Sequence, residues 1–378
     1  MRVLIACGGT GGHINPGIAI ADMIKKKYPD SEFLFAGTPK GMEAKLVPAA
    51  GYKMEPIKVA GFQRRISIEN IGRNAKAVAY LVTSGKRAKE IIEGFKPDIA
   101  IGTGGYAAGP VIRKAAKMGI PTAIHEQNAY PGVTNRLLSK EVDHVMLTFI
   151  EALDFMDKSK FEYSVTGLPV RGSINSVSRE EARAKLGIND DFTILSFGGS
   201  LGAGCINETM TEAIKWHVGK GLKINHIHGY GGMGKDTFPQ AMKAAGIPLK
   251  SDRLRITEYI NDMDVCLAAA DLVICRSGAS TLAELEAAGK ASILIPSPIV
   301  AGNHQYHNAM VLGNAGAAIV IEQKDASPKR IISEIETLYN APGRVEVMSE
   351  AAGKLYLADT NDRILEVVEK LRAKGGKK

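Results

Sequence analysis

Cysteine is scarce in this chain. There are four, Cys7, Cys205, Cys266 and Cys275, and no two form a C-x-x-C pair. That usage excludes a disulfide framework and fits the reduced thiols of a cytosolic protein. No run of about 18 apolar residues occurs, so no membrane-spanning helix is expected. The first apolar stretch starts almost at Met1, which leaves no room for a signal peptide. There is no H-E-x-x-H and no Cys/His cluster spaced for zinc, so neither a metal site nor a cofactor is expected. A large excess of one charge is also missing. The formal charge is +8, a mild surplus whose meaning depends on where it sits, and no nucleic-acid partner is expected.

What is present is an alternation. The chain has 378 residues, and about two domains is the natural expectation for that length. The runs "RVLIAC", "EFLFAG", "DIAIGT", "PTAIHE" and "DHVMLT" read as buried strands, with helical stretches such as "PGIAIADMIKKK" and "PVIRKAAKMG" between them. This is the pattern of a parallel sheet with helical crossovers. It breaks near "SVTGLPVRGSI" and restarts with "FTILSFGG", "LKINHIHG", "RLRITEY", "DLVICRSG", "ASILIP" and "AAIVIE". Two doubly wound α/β domains joined near Thr166 to Gly172 are expected, with a cleft between their strand ends. In "DTNDRILEVVEKLRAK", Thr360 is a cap candidate, and Ile364, Val367, Val368 and Leu371 share one helical face. Spacing alone leaves open which domain that helix packs on.

Four strand ends run into glycine-rich or small-residue turns: Gly8–Gly12, Gly102–Gly109, Gly198–Gly204 and Ser277–Thr281. Glycine lets backbone N–H groups approach an anion, and a following helix adds its positive end. Any one such loop is as well read as an ordinary βα turn, but four of them point to a phosphate-bearing ligand. In the first loop Asn15 and Pro16 look like the N-cap and first helical residue. His13 follows the glycines at the helix entrance. A helix N-terminus favours the neutral imidazole, which is the form a general base needs. "GTGGYA" followed by Glu126 also fits a loose dinucleotide fingerprint, the rival reading of an NAD-binding oxidoreductase. It falls on a later strand, and "CGGTGGHI" fails the pattern. The D-x-D in "NDMD" opens a helix, where Asn261 or Asp262 serves better as a cap than as a metal ligand.

The motifs "GGTGGHINPG", "GTGGYAAGP", "HEQNAYPGVTNR", "VTGLPVR", "GGSLGA", "CRSGASTLAEL" and "GNHQYHNA" occur in this order. Together they resemble the MurG family over nearly the whole chain. One departure is Leu168, where the family's linker carries asparagine. The resemblance implies the GT-B fold, two Rossmann-like doubly wound domains facing across a cleft. It implies a first domain over 1–165 that takes the lipid acceptor and a second over 166–357 that takes the donor. A C-terminal helix at about 358–375 is expected to return to the first domain. The implied reaction moves N-acetylglucosamine, with inversion, from UDP-N-acetylglucosamine to an undecaprenyl-linked muramyl-pentapeptide in peptidoglycan synthesis.

By matching motifs, the resemblance places Thr10, Gly11 and Gly12 beside the donor sugar, with Asn128 and Arg171 reaching the donor from the first domain and the linker. Ser200 meets the diphosphate, Ile260 the uracil, Glu284 the ribose and Gln305 the sugar. Arg276, Ala279, Ser280, Thr281, Leu282 and Ala283 complete the donor stretch, and Gly104, Gly105 and Tyr106 form an acceptor loop. His13 is the leading base, with Glu126 as runner-up; Glu126 could instead orient Asn128. The implied location is the cytoplasmic face of the inner membrane, held peripherally against an anionic membrane surface, with other cell-wall synthesis proteins as further partners. Ile71, Ala75, Val78 and Leu81 lie near Arg73, Lys76, Lys86, Arg87 and Lys89, and Arg113, Lys114 and Lys117 follow. A core-packed helix with a solvated basic face would read the same way. A non-catalytic nucleotide-sugar-binding subunit is a third function class compatible with these residues.

Overall fold

The computed structural model describes residues 1–59, 83–170, 172, 174, 176–199 and 201–375. The chain divides into two compact units, one made of Met1–Pro169 with the segment from Leu357 onward, the other of Val170–Tyr356.

The first unit opens with β1 (Arg2–Cys7), α1 (Gly11–Lys27), β2 (Glu32–Gly37), α2 (Glu43–Ala49) and β3 (Lys53–Pro56). A helix follows, α3, described over 83–95. Next come β4 (Ile99–Gly104), α4 (Ala108–Lys117), β5 (Thr122–Glu126), α5 (Val133–Leu138), β6 (His144–Leu147) and β7 (Glu162–Val165). These strands form one parallel sheet in the order β3-β2-β1-β4-β5-β6-β7. Both faces are covered, which is why the central strands are apolar without alternation. On β1, Val3, Ile5 and Cys7 enter one core with α1, while Leu4 and Ala6 enter the other with α4.

The second unit runs α6 (Arg179–Leu186), β8 (Phe192–Phe197), α7 (Gly204–Gly219), β9 (Ile224–Gly229), α8 (Gly231–Gly234), α9 (Phe238–Ala244) and β10 (Leu254–Thr257). It continues with α10 (Met263–Ala269), β11 (Leu272–Cys275), α11 (Ala279–Ala288), β12 (Ala291–Leu294), α12 (His304–Asn314) and β13 (Ala318–Val320). It ends with α13 (Pro328–Tyr339) and α14 (Pro342–Leu355). Its sheet is also parallel, in the order β10-β9-β8-β11-β12-β13. Three of its histidines belong to this core rather than to a site. Ser196 Oγ bonds His226 and His228, each at 2.8 Å, and burial pushes His217 down to about 4 and His228 to about 3. They are uncharged at neutral pH.

The last helix, α15 (Thr360–Gly375), belongs to the first unit. Its Ile364, Val367, Val368 and Leu371 are buried in the same core as Val3, Ile5, Ile20 and Phe35. At its rim Glu369 accepts from Lys27 at 2.6 Å and from Tyr28 at 2.8 Å, and Lys374 reaches Asp143 at 2.5 Å. Such exposed pairs add little; burying the four apolar side chains stabilises the docked helix far more. The chain leaves the first unit after Pro169, a few residues past the expected boundary. Thr166 N and Gly167 N both donate to Leu147 O, at 2.9 and 3.2 Å, and so hold the strand's continuation to the sheet.

Candidate active site

In both sheets the strand order reverses between two central neighbours, β1 and β4 in the first and β8 and β11 in the second. Loops leaving those strands diverge, and the space between them is where doubly wound sheets take ligands. The four glycine-rich or small-residue turns all leave these four strands.

In the first unit α1 begins earlier than expected. Thr10 has N-cap geometry (φ −135°, ψ 159°), and His13 N and Ile14 N both donate to Thr10 O, at 3.0 and 3.1 Å. Asn15 and Pro16 therefore lie inside the helix, not at its start. The low helix propensity of Gly11 and Gly12 hid the first turn. His13 stands on that turn, beside N–H groups that have no acceptor within the helix.

The neighbouring loop is shaped around this histidine. Gly104 has φ +102°, and a Cβ there would lie 2.7 Å from His13 Nδ1. Gly105, at φ +81°, packs against the backbone of Gly8, so a side chain would collide with the Gly8 carbonyl. Tyr106 follows with 62% of its surface exposed.

His13 Nδ1 lies 3.0 Å from Gln127 Oε1. Gln127 Nε2 donates to the carbonyls of Thr103 and His125, at 3.0 and 2.9 Å. Thr103 Oγ1 in turn donates to the His13 carbonyl at 2.7 Å. His125 is fully buried; its Nε2 meets Gly167 O at 3.0 Å, and burial pushes it down to about 4.

Glu126 is buried and already occupied. Its Oε1 accepts from the backbone and side chain of Asn128, at 2.9 and 3.2 Å, and its Oε2 from Gly132 N and Asn135 Nδ2, at 3.0 and 2.8 Å. A carboxylate offers about four acceptor positions, so this one is filled by the loop it shapes. That also removes the dinucleotide reading, which needs Glu126 free for a ribose. Glu43 plays a similar part behind the first loop, accepting from Gly9 N at 3.2 Å and from Thr38 N and Oγ1 at 2.8 and 2.6 Å. Burial raises its pKa, but those hydrogen bonds outweigh it and hold the carboxyl below its ordinary range. Gln127 and Glu43 were not singled out from the sequence.

In the second unit, the β11–α11 turn is laced to α12. Ser277 Oγ donates to Gln305 O at 2.8 Å, Asn308 Nδ2 to Ser277 O at 3.3 Å, and Ser297 N to Gln305 Oε1 at 2.9 Å. The Gln305 amide oxygen is thereby engaged, which leaves its –NH2 to act as a donor. Arg276 turns inward: it donates to the carbonyls of Ile295 and Pro296, at 2.9 and 3.1 Å, and to Gln323 Oε1 at 2.6 Å. Ala279, Ser280 and Thr281 form the first turn of α11, followed by buried Leu282 and Ala283, with half-buried Glu284 one turn on. Ile260 is buried beyond β10. Asp262 occupies the N-cap position of α10, but its carboxylate pairs with Arg255 Nη2, at 3.0 and 2.9 Å, instead of capping. Arg171 and Ser200 lie outside the described residues. Among the described residues no group of three or more His, Cys, Asp or Glu is placed to hold a metal.

Two family models match the chain: the glycosyltransferase family 28 N-terminal domain over residues 3–147, and its C-terminal domain over residues 193–364. A relative from Acetivibrio thermocellus is 46% identical over 98% of both chains. It is called UDP-N-acetylglucosamine–N-acetylmuramyl-(pentapeptide) pyrophosphoryl-undecaprenol N-acetylglucosamine transferase. One of the same name from Desulforudis audaxviator is 41% identical over 99% of this chain and 100% of its own. Among solved structures, Acinetobacter baumannii MurG is 27% identical and superposes with a TM-score of 0.78, covering 98% of this chain and 99% of its own. The two-domain α/β architecture is the GT-B fold. With matching models on both halves and full-length relatives at this identity, the chain belongs to glycosyltransferase family 28.

Proposed function

We propose that this chain transfers N-acetylglucosamine, with inversion, from UDP-N-acetylglucosamine to the 4-hydroxyl of undecaprenyl-pyrophosphoryl-N-acetylmuramyl-pentapeptide. The observation that carries this reading is the 46% identity across 98% of both chains with a relative named for that transfer. The first unit takes the lipid acceptor and the second the nucleotide sugar. His13 Nε2 removes the proton from the attacking hydroxyl. Glu126 serves instead to orient Asn128 and the loop, a reading supported by its hydrogen bonds from Asn128, Gly132 and Asn135. As the sugar–phosphate bond breaks, charge gathers on the departing UDP. The N–H groups of the first turn of α11 are fixed dipoles suited to stabilise it. Gln305 –NH2 donates to a sugar hydroxyl, and Glu284 accepts from the ribose. Arg276 acts through its charge and through holding Ile295 and Pro296, because three of its N–H groups are taken by Ile295 O, Pro296 O and Gln323 Oε1.

Incubation with labelled UDP-N-acetylglucosamine and the lipid acceptor tests the reading. Label is expected in the lipid product; donor binding without transfer would instead indicate a non-catalytic nucleotide-sugar-binding subunit. Glu284→Ala is expected to weaken UDP binding by about 1–3 kcal/mol through lost charge-assisted hydrogen bonds. Wild-type affinity by calorimetry would remove Glu284 from the site.

The acceptor's polyprenyl chain stays in a bilayer, so the same reading brings the first unit to an anionic membrane surface on the cytoplasmic side. Among the described residues no helix is long and apolar enough to span. Ile71, Arg73, Ala75, Lys76, Val78 and Leu81 lie outside the described residues. Of the rest, Lys86 and Lys117 are exposed, and Val133 and Leu137 expose 49% and 61% on one face of α5. Part of the charge is already neutralised: Arg87 pairs with Glu55 and Glu90, Lys89 with Glu93, and Arg113 with Glu141. Each remaining cation near anionic lipid contributes about 1 kcal/mol, screened by salt. Co-sedimentation with phosphatidylglycerol vesicles is expected to fall as salt rises, and indifference to both salt and lipid charge would defeat the peripheral mode.

A further inference from the structure

We infer that Gln127 is a positioning residue for the transfer: it holds the neutral His13 ring in the tautomer with the proton on Nδ1 and so reserves Nε2 as the atom that takes the acceptor's proton. This rests on the reading of His13 as the base.

The chemistry of the partners assigns each atom. Gln127 Nε2 faces two backbone carbonyls, Thr103 O at 3.0 Å and His125 O at 2.9 Å. Carbonyls only accept, so the nitrogen of the amide must be on that side and the oxygen on the other. The oxygen is what His13 Nδ1 meets, at 3.0 Å. An amide oxygen also only accepts, so Nδ1 carries the hydrogen. In neutral imidazole that leaves the lone pair on Nε2.

The amide is itself held. His125 Nε2 faces the Gly167 carbonyl and is the donor there, so His125 Nδ1 presents a lone pair, 3.1 Å from Gln127 Nε2. Burial keeps His125 neutral, consistent with that assignment. The His13 backbone is fixed separately by Thr103 Oγ1 at 2.7 Å, and the ring can lie over residue 104 only because it is glycine. The carboxylates of Glu126 and Glu43 are bonded to Asn128, Gly132 and Asn135 and to Gly9 and Thr38. The orienter of this imidazole is thus a neutral amide, which selects a tautomer without adding a charge to hold the imidazolium.

The test begins with the unmodified full-length chain. Histidine labelled with 15N, with His13 assigned by the resonance lost in His13→Gln, reports which ring nitrogen carries the proton at alkaline pH. The Nδ1–H form is expected; the Nε2–H form at His13 overturns the inference. Gln127→Met keeps the length of the side chain and removes the acceptor. It is expected to shift His13 toward a mixture of tautomers and to lower kcat about 10- to 100-fold, the usual cost of losing an imidazole's orienting partner. KM for UDP-N-acetylglucosamine is expected to stay the same. Unchanged kcat with an unchanged His13 spectrum would also overturn it. If Gln127→Met does not fold, the wild-type spectrum decides. Failure of the underlying reading looks different: His13→Ala keeps its turnover, while the tautomer result stands on its own.

Discussion

Replacing His13 with alanine is expected to lower kcat by about 10²- to 10⁴-fold, the range lost when a general base is removed. UDP is expected to bind as before, because the nucleotide contacts proposed here come from the second unit. Glu126→Gln behaves differently. It puts an –NH2 where Glu126 now accepts from N–H donors of Asn128, Gly132 or Asn135. Opposing donors cost about 1–3 kcal/mol, so this variant is expected to lose thermal stability in the first unit. A His13→Ala enzyme with near-normal turnover would move proton removal to another group.

Removing the chain from Leu357 onward is expected to unfold the first unit. Ile364, Val367, Val368 and Leu371 are buried there, each with 3% or less of its surface exposed. Burying such a side chain stabilises by about 1.5–3 kcal/mol, so four approach the total stability of an ordinary domain, about 5–15 kcal/mol. Limited proteolysis of the truncated chain is expected to digest residues 1–169 and to leave a resistant 170–356 fragment that still binds UDP. Equal protection of both parts would contradict the packing. Leu371→Ala in the full chain is the milder form, with an expected loss of about 2–5 kcal/mol.

The central strands could be read directly because both sheet faces are covered and the apolar runs are unbroken. β1 and β2 fall on "RVLIAC" and "EFLFAG". The edge strands β10 and β13 of the second sheet also fall on expected runs, "RLRITEY" and "AAIVIE", but the edges of the first sheet could not be read. β3 is "KMEP" and β7 is "EYSV", each paired on one side only, and a half-covered strand has no need of an apolar run. The site divides in the same way. Glycine loops, His13 and the "CRSGASTLAEL" stretch announce themselves locally. The partners that set their geometry do not, because the contacts are long-range: Gln127 meets His13 across 114 positions, and Glu43 meets Gly9 across 34. Nothing in "HEQN" by itself distinguishes an amide aimed at a catalytic ring from one aimed at solvent.

The first unit is interrupted in sequence by the second, and that has a consequence during synthesis. A ribosome delivers Val170–Tyr356 complete and contiguous, so that unit can close its core while the rest of the chain is still being made. The first unit begins earlier yet finishes later, because a helix that helps cover one face of its sheet follows the whole of the second unit. Until α15 emerges that face, with Val3, Ile5 and Phe35, lacks its cover. Until then the first unit exposes apolar surface that is prone to aggregate. A stop codon anywhere in the last helix therefore does its damage near the opposite terminus.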